Sequence, residues 1–438
     1  MNSGSQNITQ NLFSENDEAT WKRRWKMLYA AVAGYAMDGL DMLILSFAMA
    51  AIIKEFGISY AEGGWIATYT LIGAVLGGYF FGIAADYMGR VRVFALTIVI
   101  FSIFTGLCAV AQSVNELNIY RFLAGLGLGG EFGIGMTLVA ETWPAEKRAR
   151  ATAGVAIGWQ LGVVMAAVLA AIVMPLYGWR GLFLVGALPA LFAAWSRRNL
   201  PEPDIWVERK ARTKIIAAKQ SVGGTLSPEE QDLLANASKF PLMHLFVDGR
   251  KTIITFSLTV MTSVQNFGYY GIMIWLPTIL MQKHGLSLNK TTTWMVVTVL
   301  GMIVGIYLFG YLADRVGRRP VYMTFYLGSA ASVWIYSGLT DPMQLLVGGA
   351  VLGFFCNGTM AGFGALLSEH YTTDARSTAQ NFIFNSGRAV GGFAPVIIGM
   401  LAQQYTLSGA LAVLAFIYIA AAVNLFFLVP ETKGAALK

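Results

Sequence analysis

Apolar runs of about 20 residues, separated by short clusters of charge, recur along the whole 438-residue chain. About 20 residues is the length a helix needs to cross a hydrocarbon core of about 30 Å at 1.5 Å per residue. Only 13% of the residues are charged, against about 25% in soluble domains, so the runs have little polar face to offer water. An ordinary soluble enzyme is excluded. Barrel strands alternate over about ten residues, which these continuous runs do not, so the spans are read as helices that satisfy their own backbone groups.

Twelve spans are expected, at 27–53, 63–85, 92–112, 117–140, 152–174, 179–195, 252–281, 291–313, 320–338, 344–367, 378–403 and 406–429. They divide the chain into a tail (1–26), a six-helix bundle (27–195), a charged linker (196–251), a second six-helix bundle (252–429) and a second tail (430–438). Lys and Arg are retained in cytoplasmic loops, and 25 of the 31 fall on one side of this topology. The exceptions are Lys54, Arg121, Arg180, Lys283, Lys290 and Arg388. Both termini are therefore expected in the cytoplasm, with a bacterial inner membrane as the setting. The net charge of +7 then reflects topology and anionic lipid, not nucleic-acid binding. The first 20 residues are polar and the first apolar run is long enough to span, so no cleavable signal peptide is expected.

The halves repeat each other at an offset of 228 residues. Gly73, Gly77, Gly82, Asp86, Gly89 and Arg90 match Gly301, Gly305, Gly310, Asp314, Gly317 and Arg318. Glu141 and Arg148 match Glu369 and Arg376. Duplicated bundles around a midplane site are an architecture of secondary transporters. The loop segments Gly82-Ile-Ala-Ala-Asp86-Tyr-Met-Gly89-Arg90 and Gly310-Tyr-Leu-Ala-Asp314-Arg315-Val-Gly317-Arg318 resemble the signature of the major facilitator superfamily, over essentially the whole chain. The fold expected from that resemblance is an all-α membrane protein of two pseudo-symmetric six-helix bundles. Asp86, Gly89, Arg90, Glu141, Arg148, Asp314, Gly317, Arg318, Glu369 and Arg376 are the candidate latch that closes one face.

Cargo is argued from charges at membrane depth, which are costly there and mark pathways. Asp38, Asp41, Glu131 and Arg388 interrupt apolar runs. Counting helical rise from the nearest charge cluster puts Asp38, Glu131 and Arg388 roughly 15–18 Å deep, near the midplane. Arg388 is the candidate substrate residue, because a guanidinium stays charged and matches a carboxylate fork to fork. Its counterpart in the first half is Gln160. Asp38, Asp41 and Glu131 are the candidate proton carriers. Asp38 and Asp41, at i and i+3, share a helix face and are expected to titrate as a pair, while their matches are Asn266 and Tyr269. Tyr35, Tyr270, Asn357 and Asn385 complete the candidate substrate set.

Asp38-Gly39-Leu40-Asp41 resembles the first-helix signature of proton symporters for aromatic acids and sialate. The run Arg121-Phe-Leu-Ala-Gly125 to Glu131-Phe132, and Asn385-Ser-Gly387-Arg388, resemble the sialate and monocarboxylate branch, with Phe132 standing where that branch often has Trp. The expected function is proton-coupled uptake of a small organic carboxylate, whether monocarboxylate, acidic sugar or aromatic acid, by a functional monomer. It would use no cofactor and no metal, with the proton gradient as energy source. The alternative is a proton-coupled antiporter for drugs or amphiphiles, against which stand Arg388 and the lack of a Gly-Pro pair in 154–162. No Ser/His/Asp, metal-spaced His/Cys or nucleotide-loop pattern suggests an enzyme. Cys108 and Cys356 read as packing residues, and His244, His284 and His370 as solvated residues of the linker or loops.

Overall fold

The computed structural model describes residues 18–188, 200–282, 288–394, 397–398, 400–401 and 407–437. In chain order the helices are α1 (Glu18–Phe56), α2 (Tyr60–Met88), α3 (Arg90–Cys108), α4 (Val114–Thr142), α5 (Arg148–Val185), α6 (Asp204–Ser221) and α7 (Pro228–Ser238). They continue with α8 (Gly249–Gln282), α9 (Leu288–Arg315), α10 (Arg318–Gly338), α11 (Pro342–Gly358), α12 (Met360–His370), α13 (Arg376–Gly391) and α14 (Leu407–Leu428). Expected spans five and six run together in α5 and are divided at Gly178, whose φ of 63° and ψ of −167° interrupt the helix. The tenth span is α11 and α12, joined through Thr359. The architecture is two six-helix bundles, and parts of the sixth and eleventh expected spans fall outside the described residues.

Within the first bundle α1 packs on α5 and α2 on α4; within the second, α9 packs on α11, α8 on α13 and α10 on α14. Glycines set the closeness of these contacts. A Cβ on Gly77 would strike the Leu126 carbonyl, and one on Gly305, its repeat partner, would strike the Phe354 carbonyl. Small residues at such crossings let backbones approach where lipid gives helices no hydrophobic reason to associate. Between the bundles, α13 lies on α2 and α4, and α5 lies on α9 and α12, one arrangement written twice.

From Leu200 onward the linker holds α6, α7 and a 3-10 turn at Pro241–Leu245. Ser227 and Glu230 close a capping box at the start of α7, satisfying two donors that a helix end leaves free. Trp206 Nε1 donates to the Asp86 carbonyl at 3.1 Å, and Arg209 pairs with Asp374 at 2.5 Å, so α6 touches both bundles. Two of the histidines depart from the expectation of solvated side chains. His244 and His370 are buried, His244 donating to the Asn236 carbonyl at 3.0 Å; burial pushes its imidazole below its ordinary value. His284 lies outside the described residues. Cys108 and Cys356 are buried and free.

Candidate functional site

Two matching clusters of charge join the bundles at one face, where the candidate latch residues lie. Asp86 accepts from the backbone N–H groups of Ser377 at 3.2 Å and Thr378 at 2.8 Å, and from the Thr378 hydroxyl at 2.7 Å. Asp314 accepts from the N–H groups of Ala149 and Arg150, both at 3.0 Å. Each carboxylate therefore caps the first turn of a helix in the opposite bundle, where free donors and the positive helix end favour an anion. Arg90 holds Asp86 and Glu141, each at 3.0 Å, and Arg318 holds Asp314 at 3.2 Å and Glu369 at 2.8 Å. The sequence grouped Glu141 with Arg148 and Glu369 with Arg376, but the pairs exchange partners. Arg376 meets Glu141 at 2.6 Å and Arg148 meets Glu369 at 2.9 Å, so each quartet spans both bundles. Gly89 and Gly317 sit at φ 109° and 131°, a region that favours glycine.

Beyond the latch, a cavity of about 30 Å³ lies between the bundles. It is lined by Arg388, Tyr35, Gln160, Asn266, Tyr269, Tyr270 and Asn357 from the expected set, and by Trp159, Gln265 and Phe384. Asn385 is not among its lining residues; its amide donates across the bundle seam to the Gly129 carbonyl at 3.1 Å. The Arg388 guanidinium lies over the Trp159 ring at 5.7 Å. Tyr35 packs between Trp159 and Phe132, at ring distances of 5.4 and 5.2 Å, and Phe132 stacks on Phe384 of the other bundle at 3.7 Å. The Trp159 indole donates to the Tyr269 hydroxyl at 3.2 Å, a second link between bundles. Opposite, Gln265 donates to Asn357 at 3.1 Å and accepts from the Thr359 hydroxyl.

The three buried carboxylates have separate surroundings. Asp38 stands 3.9 Å from Arg388, and neither of its oxygens has a hydrogen-bond partner among the described residues. Asp41 turns away into the first bundle, where Arg121 pairs with it at 3.0 Å and the Thr105 hydroxyl donates to it at 2.5 Å. Arg121 also donates to Thr70 at 3.1 Å. Three residues turn the helix by about 300°, a net separation of about 60°, so Asp38 and Asp41 lie on one face yet meet different partners, Arg388 and Arg121. Glu131 accepts from the Thr97 hydroxyl, and its second oxygen has no partner among the described residues.

Two acids escaped the sequence reading. Glu202 accepts from the N–H groups of Val91 and Arg92, both at 3.1 Å. Glu431 does the same for Arg318 and Arg319, both at 2.9 Å. The signal was present as Pro201-Glu202 and Pro430-Glu431, but their separation is 431 − 202 = 229, one residue off the repeat register, in segments read as linker and tail.

A sequence profile described as Major Facilitator Superfamily matches residues 31–296 and 258–438. The chain belongs to the major facilitator superfamily. It is a multi-pass membrane transporter, not an enzyme. A Haemophilus influenzae protein with only a general metabolite-transport name is 50% identical over 413 residues, 94% of this chain and 98% of its own. The cis,cis-muconate transport protein of Acinetobacter baylyi is 32% identical over 384 residues, 88% of each chain. The structure of the proton:xylose symporter XylE covers 95% of this chain and 98% of its own with a TM-score of 0.79 at 17% identity, a likeness of fold alone.

The paired quartets join the bundles at one face, and Arg388, which lines the cavity, stands 3.9 Å from Asp38.

Proposed function

We propose that the protein takes up a small organic carboxylate together with protons, by alternating access, and that planar unsaturated or aromatic acids fit it best. The observation that carries this reading is Arg388. Its side chain is buried, its Nη2 has no hydrogen-bond partner among the described residues, and its nearest carboxylate, Asp38, stands at 3.9 Å, beyond hydrogen-bond reach. Such a guanidinium has fork donors to offer a second carboxylate in a low-dielectric site. Rings of Tyr35, Trp159, Tyr269, Tyr270 and Phe384 line the cavity, which suits a flat ligand better than a bulky hydroxylated one. A space of about 30 Å³ holds little more than water. The Trp159–Tyr269 link must therefore part to admit an acid.

Coupling follows from competition for Arg388. A protonated Asp38 gives up its claim on the guanidinium, the substrate carboxylate takes its place, and release of the proton on the other side returns Arg388 to Asp38. Glu131, with one hydroxyl and no cation to hold a charge, is a second proton site. The latch face and both termini are cytoplasmic in this reading. The membrane is a bacterial inner membrane, the working unit a monomer, and the energy source the proton gradient without cofactor or metal. A buried fixed cation speaks against the alternative of cationic-drug antiport.

The test is a thermal-shift screen of the purified chain with benzoate, cis,cis-muconate and a sugar acid, repeated on Arg388→Gln. Ligands that bind the folded state raise its melting temperature. A planar acid should stabilise the native chain, and R388Q should weaken that binding at least about a hundredfold, the cost of losing roughly 3 kcal/mol of charged hydrogen bonds. Unchanged binding by R388Q would remove the assignment.

A further inference from the structure

On α13, Ser377, Asn381, Asn385 and Arg388 follow one another at spacings of 4, 4 and 3 and so share a face. That face runs along the first bundle from the latch to the cavity. Asn381 fills the space that a Cβ on Gly82 or Gly133 would occupy, and Asn385 fills the space at Gly78. All three residues below Arg388 are buried, yet Ser377 Oγ, Asn381 Oδ1 and Asn385 Oδ1 have no hydrogen-bond partner among the described residues. An unpaired buried polar atom costs about 1–3 kcal/mol. The duplication provides the comparison. The equivalent positions of α5 are Ala149, Ala153 and Ile157, and Ala153 meets Gly310 as Asn381 meets Gly82. One seam geometry is thus built with apolar side chains in one copy and with amides in the other, so packing does not require the amides.

We propose that the amide edge of α13 is the wall along which the bound carboxylate leaves Arg388 for the latch face once this seam parts. The inference rests on the reading of Arg388 as the anion site. When the seam opens, the Ser377 hydroxyl and the Asn381 and Asn385 amides offer an anion successive neutral donors. Neutral donors in series bind strongly enough to admit an ion and weakly enough to pass it on. While the seam is closed, the orphaned oxygens make it less stable than its apolar twin, which biases this side toward opening.

Asn381→Leu is the cleanest variant, because the Asn381 amide otherwise donates only to the Ser377 carbonyl of its own helix. In the purified full chain, N381L should raise the melting temperature, since an orphaned acceptor is replaced by an apolar group. Its benzoate and cis,cis-muconate affinities should stay within about threefold of the native chain, while uptake into proteoliposomes falls at least about tenfold. Asn381→Ser should recover most of the rate. A native rate in N381L, or a rate lost together with melting temperature, would overturn the proposal by making Asn381 inert or a packing residue. Should the native chain bind neither acid, the anion reading fails by itself, and Asn381→Cys in a chain with Cys108 and Cys356 changed to Ala still tests the wall. Reaction with a membrane-impermeant thiol reagent supplied at the latch face supports it, and a thiol that stays unreactive there sinks it.

Discussion

At the residue scale, Asp38 and Asp41 have different partners although their spacing puts them on one helix face. Asp38 has no hydrogen-bond partner among the described residues and stands 3.9 Å from Arg388; Asp41 is held by Arg121 and Thr105. Asp38→Asn should therefore leave substrate binding and exchange measurable while abolishing accumulation driven by a pH gradient, read as uptake with and without an imposed gradient. Asp41→Asn should act on stability, because it strands the buried Arg121; removing one partner of a buried pair costs roughly 3–5 kcal/mol. A large drop in melting temperature, largely restored by adding Arg121→Gln, is the expected result. The need for a buried counter-charge was legible in the sequence for Arg388 and missed for Arg121. Arg121 sat near a span end, where a basic residue passes as a loop charge, and nothing in a linear pattern says that Thr70 meets it while Thr105 meets its partner Asp41.

At the element scale, legibility followed the repeat. Gly77 and Gly305, or Asp86 and Asp314, were found because duplication kept them at one offset, and packing then made them equivalent. Glu202 and Glu431 were lost to a single-residue shift, although their work is equally symmetric: each holds two N–H groups at the start of α3 or α10. Helix-end carboxylates of this kind stabilise by about 1 kcal/mol. Glu202→Gln and Glu431→Gln should each lower the melting temperature modestly, and by similar amounts, with substrate affinity unchanged. A much larger loss from one than from the other would show that the two caps are not mechanically equivalent. The α13 helix illustrates why a hydropathy pattern underdetermines role. Among the described helices of the two bundles it is the least apolar, because one face carries Ser377, Asn381, Asn385 and Arg388, and only the arrangement of neighbours reveals that this face lies inside.

At the scale of the whole molecule, each quartet contains residues of both bundles, so the two would act together as one lock. They share no residue: Asp86, Arg90, Glu141 and Arg376 form one, and Asp314, Arg318, Glu369 and Arg148 the other. Separate sites contribute additively to an equilibrium, and opening the latch face breaks both. Asp86→Asn and Asp314→Asn should each shift the closed-to-open ratio of that face by about tenfold for every 1.4 kcal/mol lost, and the double variant by about the product of the two. Distances between spin labels placed across the latch face report the ratio directly. Salt separates this lock from surface electrostatics. The quartet acids and Arg90, Arg318 and Arg376 are buried, so raising ionic strength to 1 M, which shortens the screening length to about 3 Å, should leave the closed population nearly unchanged. The half-exposed Lys219–Glu230 pair of the linker lacks that protection. A latch that opened steeply with salt would mean that its charges are solvated in the closed state, and that the exchange of partners across the bundles does not hold the face shut.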